Sequence, residues 1–264
     1  MDSAERALLE QALHKTMTTS APGAELDATL ADLGWGEMLT QEPDTAVPLV
    51  FRLLGETGAQ APLLNDVVLR AAGHPPGGTP PLPYAGGTWV RWARGDGPPA
   101  GPLDDGLPLH RSDPRDLSAP ALAAGRRALG WWLLGTGRTM LSLAREHVLQ
   151  RQQFGRPLAS FQALRHRLAE TYVALEAAEA VLAAADDDAG ALLAKAAAGR
   201  AALTAARHCQ QALGGIGFTA EHALHRHVKR ALVLDGLLGS TRELTREAGR
   251  LLLRRSHTPR LVDL

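Results

Sequence analysis

Apolar residues recur at helical spacing over most of the chain. Leu8, Leu9 and Leu13 share one face of a predicted helix over residues 3–16, and Leu26, Leu30 and Leu33 share one over 25–34. Residues 48–55 and 62–72 each begin with proline and then run apolar, which predicts two further helices with proline in the first turn. From Ser118 onward the three-four spacing continues to the end of the chain. Leu122, Leu129, Trp132, Leu133 and Met140 mark a first long helix, in which Gly125, Gly130, Gly135 and Gly137 predict close approach of neighbouring helices. A second helix is expected after Ser160 as N-cap, with Phe161, Leu164, Leu168, Tyr172, Leu175, Ala178 and Leu182 forming a stripe that is core or subunit interface. An alanine-rich third helix follows over 191–213 and a fourth over 241–254.

Between residues 74 and 116 this pattern stops. Proline and glycine crowd the segment, and its one strand-like stretch is Thr88 to Trp92. The expected organisation is a mostly α protein with an N-terminal helical domain (1–73), a reduced middle segment (74–116) and a C-terminal four-helix bundle (117–264).

Composition narrows the chemistry. The 264 residues are 45% apolar, ordinary for a globular core, and carry no formal net charge, so nothing favours nucleic acid or an anionic membrane. The single cysteine, Cys209, excludes an internal disulfide and is expected to be an inert helix residue. With no signal-like pattern at the N-terminus it suits a cytoplasmic location. Asp186, Asp187 and Asp188 are read as helix-start residues that offset the dipole rather than as a metal cluster. His222, His225 and His227 lack metal-ligand spacing and are read as polar residues at the end of the bundle.

Two stretches stand out chemically. Residues 146–161, EHVLQRQQFGRPLASF, combine the forked donors of Arg151, the amide of Gln153, the flat apolar face of Phe154 and then Gly155. Residues 211–221, QALGGIGFTAE, set Gln211 beside Gly214, Gly215 and Gly217, where a backbone without Cβ atoms can approach a ligand. Each reads locally as a helix closed by glycine.

In combination, the order RxxFGxPLxxFQ, a long alanine-rich helix and QxLGGxGF resembles the C-terminal half of the flavin-dependent acyl-CoA dehydrogenases. LADLGWGEML and APLLNDVVLRAA are more loosely similar to that family's N-terminal helical domain. The resemblance implies a β-barrel of about a hundred residues between the helical domains, of which this chain has less than half. It implies that Arg151 contacts the pyrophosphate of a neighbouring subunit's FAD and that Phe154 packs on that cofactor. Gln153 and Gln162 would supply amide hydrogen bonds, and Gln211, Gly214 and Gly215 would cradle the ADP end.

The family's reaction needs a carboxylate that removes the α-proton of an acyl-CoA thioester while a hydride leaves the β-carbon for the flavin. Counting from Phe218 as the family does leads to Leu238, followed by Gly239 and Ser240, in place of Glu-Gly-Thr. The alternative family position, on the first bundle helix, falls on Gly125, and the nearest acidic residue to the first is Asp235. The resemblance is nearest to the paired subunits of bacterial steroid side-chain degradation. It implies a non-catalytic subunit of a heteromer, with an α2β2 arrangement, in which a larger partner supplies the barrel, the base and most of the acyl-CoA cleft. Two other readings stay open from sequence: an autonomous dehydrogenase using Asp235, and a helical scaffold without flavin.

Overall fold

The computed structural model describes residues 3–95, 104 and 106–255. The first five helices are α1 (Ser3–Thr19), α2 (Ala24–Asp32), α3 (Trp35–Gln41), α4 (Pro43–Thr57) and α5 (Leu63–Ala71). The α4 helix begins five residues before the predicted start, because Pro43 takes the first turn where no amide partner is needed, and Pro48 lies inside it. Short α3, which the apolar spacing did not separate, buries Trp35 and Leu39.

The middle segment holds β1 (Pro81–Tyr84), β2 (Thr88–Trp92) and β3 (Leu109–Arg111), an antiparallel sheet in the order β1-β2-β3 with no closed barrel among the described residues. The β2 strand coincides with the predicted one. The edge of β1 is covered by the bundle: Leu238 N–H donates to Pro83 O at 2.8 Å, and Tyr84 bridges Leu237. Asn65 Nδ2 donates to Trp92 O at 2.9 Å, and Arg94 pairs with both Asp27 and Asp66, which ties the sheet to the N-terminal helices.

The C-terminal half contains α6 (Ala119–Gln150), α7 (Gln162–Ala183), α8 (Asp188–Leu213), α9 (Leu224–Gly236) and α10 (Thr241–Arg255). The His-rich α9, absent from the sequence reading as a helix, buries Leu224, Val228, Ala231 and Leu234. His227 lies within it at 2% exposure, a correction to its expected place at the polar end of the bundle: on α9 it shares the inward face with Leu224, Val228 and Ala231. The N-cap of α7 is Phe161 and not Ser160. The Ser160 hydroxyl instead donates to Pro157 O at 2.7 Å and closes a short 3-10 turn. Asp187 accepts from Gly190 N at 2.6 Å and caps α8, and no group that could hold a metal occurs among the described residues. Along the α7 stripe Leu175, Ala178 and Leu182 are core, whereas Tyr172 points outward and Thr171 takes the inward position.

The glycines of α6 are contact points, as the sequence predicted. A Cβ on Gly130 would lie 2.5 Å from Leu182, and one on Gly137 2.5 Å from Leu175, which sets α6 and α7 antiparallel at close range. A Cβ on Gly135 would run into the Arg52 backbone, and one on Gly55 into the backbone of Thr136 at 2.5 Å, so α4 and α6 cross with their main chains touching. Trp35, Phe51, Trp132 and Trp92 continue this contact as a row of rings with centroids 5.5 to 6.2 Å apart. Cys209 is buried and its thiol is pushed up to about 12 by burial, as suits an inert core residue. No described helix is long and apolar enough to cross a membrane.

Candidate functional site

Because α6 and α7 are antiparallel, and Thr171 of α7 meets His208 of α8 at 2.9 Å, the C-termini of α6 and α8 lie at the same end of the bundle. That arrangement places the two chemically distinctive stretches side by side. The contact between them is made by His147, one turn before Arg151, and His222, just beyond the glycine turn, whose rings meet edge-on at 6.4 Å. The His222 Nδ1 accepts from Leu224 N at 3.1 Å, which fixes the ring at the start of α9. His147 is held below its ordinary pKa by burial and then by His222 and Arg151.

After α6 the chain does not end in a glycine cap. Arg151 is the C-cap, with extended backbone, and the following residues form a hairpin of β4 (Gln152–Gln153) and β5 (Arg156–Pro157). Its two turn residues, Phe154 and Gly155, both have positive φ, as a tight two-residue hairpin turn requires. Gly155 accepts that geometry without strain, whereas for Phe154, at φ 55°, it is costly. Phe154 is 89% exposed, and its ring meets that of Phe161 edge-on at 6.1 Å. Arg151, Gln153 and Gln162 are exposed on the same end of the bundle.

At the other stretch Gly214 is the C-cap of α8 with φ 67°, as expected, and Gln211 is exposed. A Cβ on Gly214 or Gly215 would meet nothing within 4 Å, so both leave open backbone at the surface. Gly217 is different: its Cβ would lie 2.7 Å from Gln210 O, which makes it a packing requirement and not part of a cradle. Ile216 and Phe218 are exposed beside the two open glycines. Donors in an arginine fork, amides, an open glycine backbone and bare aromatic faces suit a dinucleotide with a diphosphate. These residues could hold the ADP portion of an FAD.

The two positions to which sequence counting assigns the family's base, Leu238 and Gly125, lie together in space. Leu238, 1% exposed, projects over Gly125, and a Cβ on Gly125 would lie 2.5 Å from Leu238 Cδ1 and 3.0 Å from Val68 Cγ2. Leu64 completes this apolar contact. Leu238 and Phe154 are the only non-glycine residues with positive φ among the described residues. Sparsely populated backbone geometry of this kind persists where the surroundings dictate it.

Asp235 is engaged elsewhere. Its carboxylate accepts from Thr241 N at 3.1 Å and Thr241 Oγ1 at 2.5 Å, which fastens the start of α10. Lys195, fully buried, donates to Asp235 O at 2.9 Å and Gly239 O at 2.6 Å and holds the loop from below. Burial lowers its pKa to about 7, with the nearby Asp235 carboxylate opposing the shift. From the other side Glu243 accepts from Gly86 N and Ser240 N, each at 2.9 Å, and so joins the sheet to the loop. Sequence counting located Leu238 and Gly125 separately but gave no sign of their contact, or of Lys195 beneath the loop.

The profile of the acyl-CoA dehydrogenase C-terminal domain matches residues 116–251. Acyl-CoA dehydrogenase IpdE2 of Mycobacterium tuberculosis is 38% identical over 61% of this chain and 53% of its own length. Acyl-CoA dehydrogenase FadE34 of the same organism is 39% identical over 48% of the chain and 18% of its own length. The chain thus spans about half the length, or less, of these relatives. Among solved structures, the Tcur3481-Tcur3483 steroid ACAD superposes with a TM-score of 0.74 at 20% identity, covering 96% of this chain and 99% of that one. The ChsE4-ChsE5 complex from Mycobacterium tuberculosis gives 0.73 at 18% identity, covering 98% of this chain and 99% of that one. The helical fold, the paired motifs and a profile match over more than half of its residues establish that this chain belongs to the acyl-CoA dehydrogenase family.

Proposed function

We propose that this chain is the non-catalytic subunit of a heteromeric, FAD-dependent acyl-CoA dehydrogenase, in which it lends Arg151, Gln153, Phe154, Gln162, Gln211, Gly214 and Gly215 to the FAD of a larger partner subunit. The observation that carries this reading is the contact of Leu238 with Gly125: neither position to which counting assigns the family's base is acidic, and the Leu238 side chain occupies the space that a side chain at 125 would take. Neither position carries a carboxylate. Asp235, the remaining acid, has its carboxylate committed to Thr241. When bound, FAD accepts the hydride; this chain's share is to hold the nucleotide end and shield it from water.

The bare Phe154, Ile216 and Phe218 at one end of the bundle support a covering partner, since clustered exposed apolar surface tends to associate. Likeness in fold to a steroid acyl-CoA dehydrogenase and to a two-component complex motivates a steroid side-chain CoA ester as substrate, with α2β2 stoichiometry and cytoplasmic location. Purification of the chain alone and with a co-expressed larger dehydrogenase subunit tests the assignment. Flavin absorbance only in the co-purified complex is the expected result; flavin bound by the isolated chain, or none in either sample, refutes it.

Arg151→Ala is expected to weaken FAD binding by the complex roughly tenfold to a hundredfold, the cost of one charge-assisted contact of about 1.5–3 kcal/mol. Equal flavin content in the variant and the parent complex would remove Arg151 from the site. Asp235→Asn, by contrast, should leave turnover within a few-fold once flavin content is normalised. A general base contributes about 10² to 10⁴ in rate, so a hundredfold loss in this variant would make the chain catalytic.

A further inference from the structure

We propose that Arg156, at a position the family motif leaves open, is a second phosphate-binding arginine of this site, so that Arg151 and Arg156 together bracket the diphosphate of the partner's FAD. The inference rests on reading the chain as the subunit that completes that flavin site. It follows from the parity of the hairpin. Gln153 pairs with Arg156 and Gln152 with Pro157, and Leu158 N–H donates to Arg151 O at 2.8 Å, which extends the ladder by one more opposed pair. Opposed residues share a face and successive residues alternate. Arg151, Gln153, Arg156 and Leu158 therefore lie on one face, with Gln152 and Pro157 on the other.

Arg151 and Arg156 are diagonal neighbours on that face, a relation that separates side-chain origins by about 7–8 Å. Two forked cations at that spacing, with Gln153 adjacent to both on the same face, match a ligand that carries two linked phosphates. Neither guanidinium is in an ion pair among the described residues, so both are free to take an anion. The Arg156 guanidinium is also placed in advance: it lies 4.2 Å over the ring of Phe161, whose edge contact with Phe154 ties it to the strained turn. Stacking of this kind leaves the in-plane N–H donors pointing outward.

FAD is titrated into the deflavinated complex carrying wild-type chain, Arg156→Ala, Arg156→Lys or Arg151→Ala, and the thermal midpoint of each apo complex is measured alongside. Arg156→Ala is expected to raise the FAD dissociation constant about tenfold, with Arg156→Lys in between because it keeps the charge but loses the fork. The apo midpoints should agree. An unchanged FAD dissociation constant overturns the proposal, whether or not the midpoint falls, and a fall would show that Arg156 only staples the hairpin to Phe161. So does a loss of acyl-CoA affinity with FAD binding intact, which would assign the arginine to the diphosphate of coenzyme A. If the wild-type complex binds no FAD, the subunit reading itself fails, and that result is distinct from a defect confined to the Arg156 variants.

Discussion

Gly135→Ala is expected to lower the thermal midpoint of the chain by about 6–12 °C, a loss on the order of 3 kcal/mol for a chain of this size. Alanine in a helix interior ordinarily gains about 1 kcal/mol over glycine, so intrinsic propensity pushes the other way. Geometry reverses the sign. The added Cβ would meet the Arg52 main chain, and a backbone cannot rotate aside as a leucine side chain can. The α4 and α6 helices would have to separate, and with them the edge-on contact of Phe51 with Trp132 at 5.8 Å and the hydrogen bond from Thr139 Oγ1 to Glu56 O at 2.9 Å. Gly249→Ala is the matched control: it lies exposed on α10, where a Cβ meets nothing within 4 Å, and should raise stability slightly. If the two variants melt within 2 °C of each other (about the shift of 0.5–1 kcal/mol in a chain this size), the packed crossing does not limit stability.

The second large effect concerns acid. His227 is 2% exposed and its Nδ1 has no hydrogen-bond partner, while Arg226 and Arg230 lie close enough to disfavour a third positive charge. Burial first, and these arginines next, lower its pKa to about 4 from an ordinary 6.5. Between those values the unfolded chain takes up a proton that the folded chain refuses. His227 therefore costs nothing above about pH 6.5, and stability is lost progressively as the pH falls toward 4, by about 3 kcal/mol in full at 1.36 kcal/mol per pH unit. Urea midpoints of wild type and His227→Leu at pH 7.5, 5.5 and 4.5 isolate this contribution, because the carboxylates titrate alike in both. The wild type should lose stability faster than the variant on acidification; parallel curves would show that the imidazole is protonated inside the fold or reaches water.

Much of this architecture can be read in the chain, and the parts that cannot share a cause. The glycine spacing of α6 announced close neighbours, because only glycine lets helices touch main chain to main chain, and Gly130, Gly135 and Gly137 each meet one. The break in periodicity between residues 74 and 116 marked a segment too short for the barrel, and no closed barrel occurs among the described residues; of the three strands found there, only β2 was read from sequence. Phe154-Gly155 looked like a helix terminus because a glycine after a long apolar helix usually is one; the hairpin shows only when φ is known at both turn residues. Ser160 carried a good cap signal and was diverted by a nearer carbonyl at Pro157. The α9 helix was hidden by its histidines and arginines, whose polarity obscures an inward face made of Leu224, Val228, Ala231 and Leu234. For the candidate site the sequence offered residue types and their order, whereas the facing of Arg156 with Arg151 needed the hairpin register and the Leu238 contact needed the folded chain.

If the chain is the non-catalytic subunit proposed above, the contact between Leu238 and Gly125 also works as a ratchet against regaining a base. A glutamate restored at 125 would begin with a Cβ lodged against Leu238 and Val68. A glutamate restored at 238 would carry its carboxyl into a spot lined by Leu64 and Val68, where an unpaired charge is costly. A reversion at 125 is obstructed by Leu238 and one at 238 by the apolar lining of Leu64 and Val68, so neither position regains a base by one substitution without cost. On that reading the surrounding cleft is free to change, while the hairpin and the glycine turn would stay answerable to the partner chain they serve.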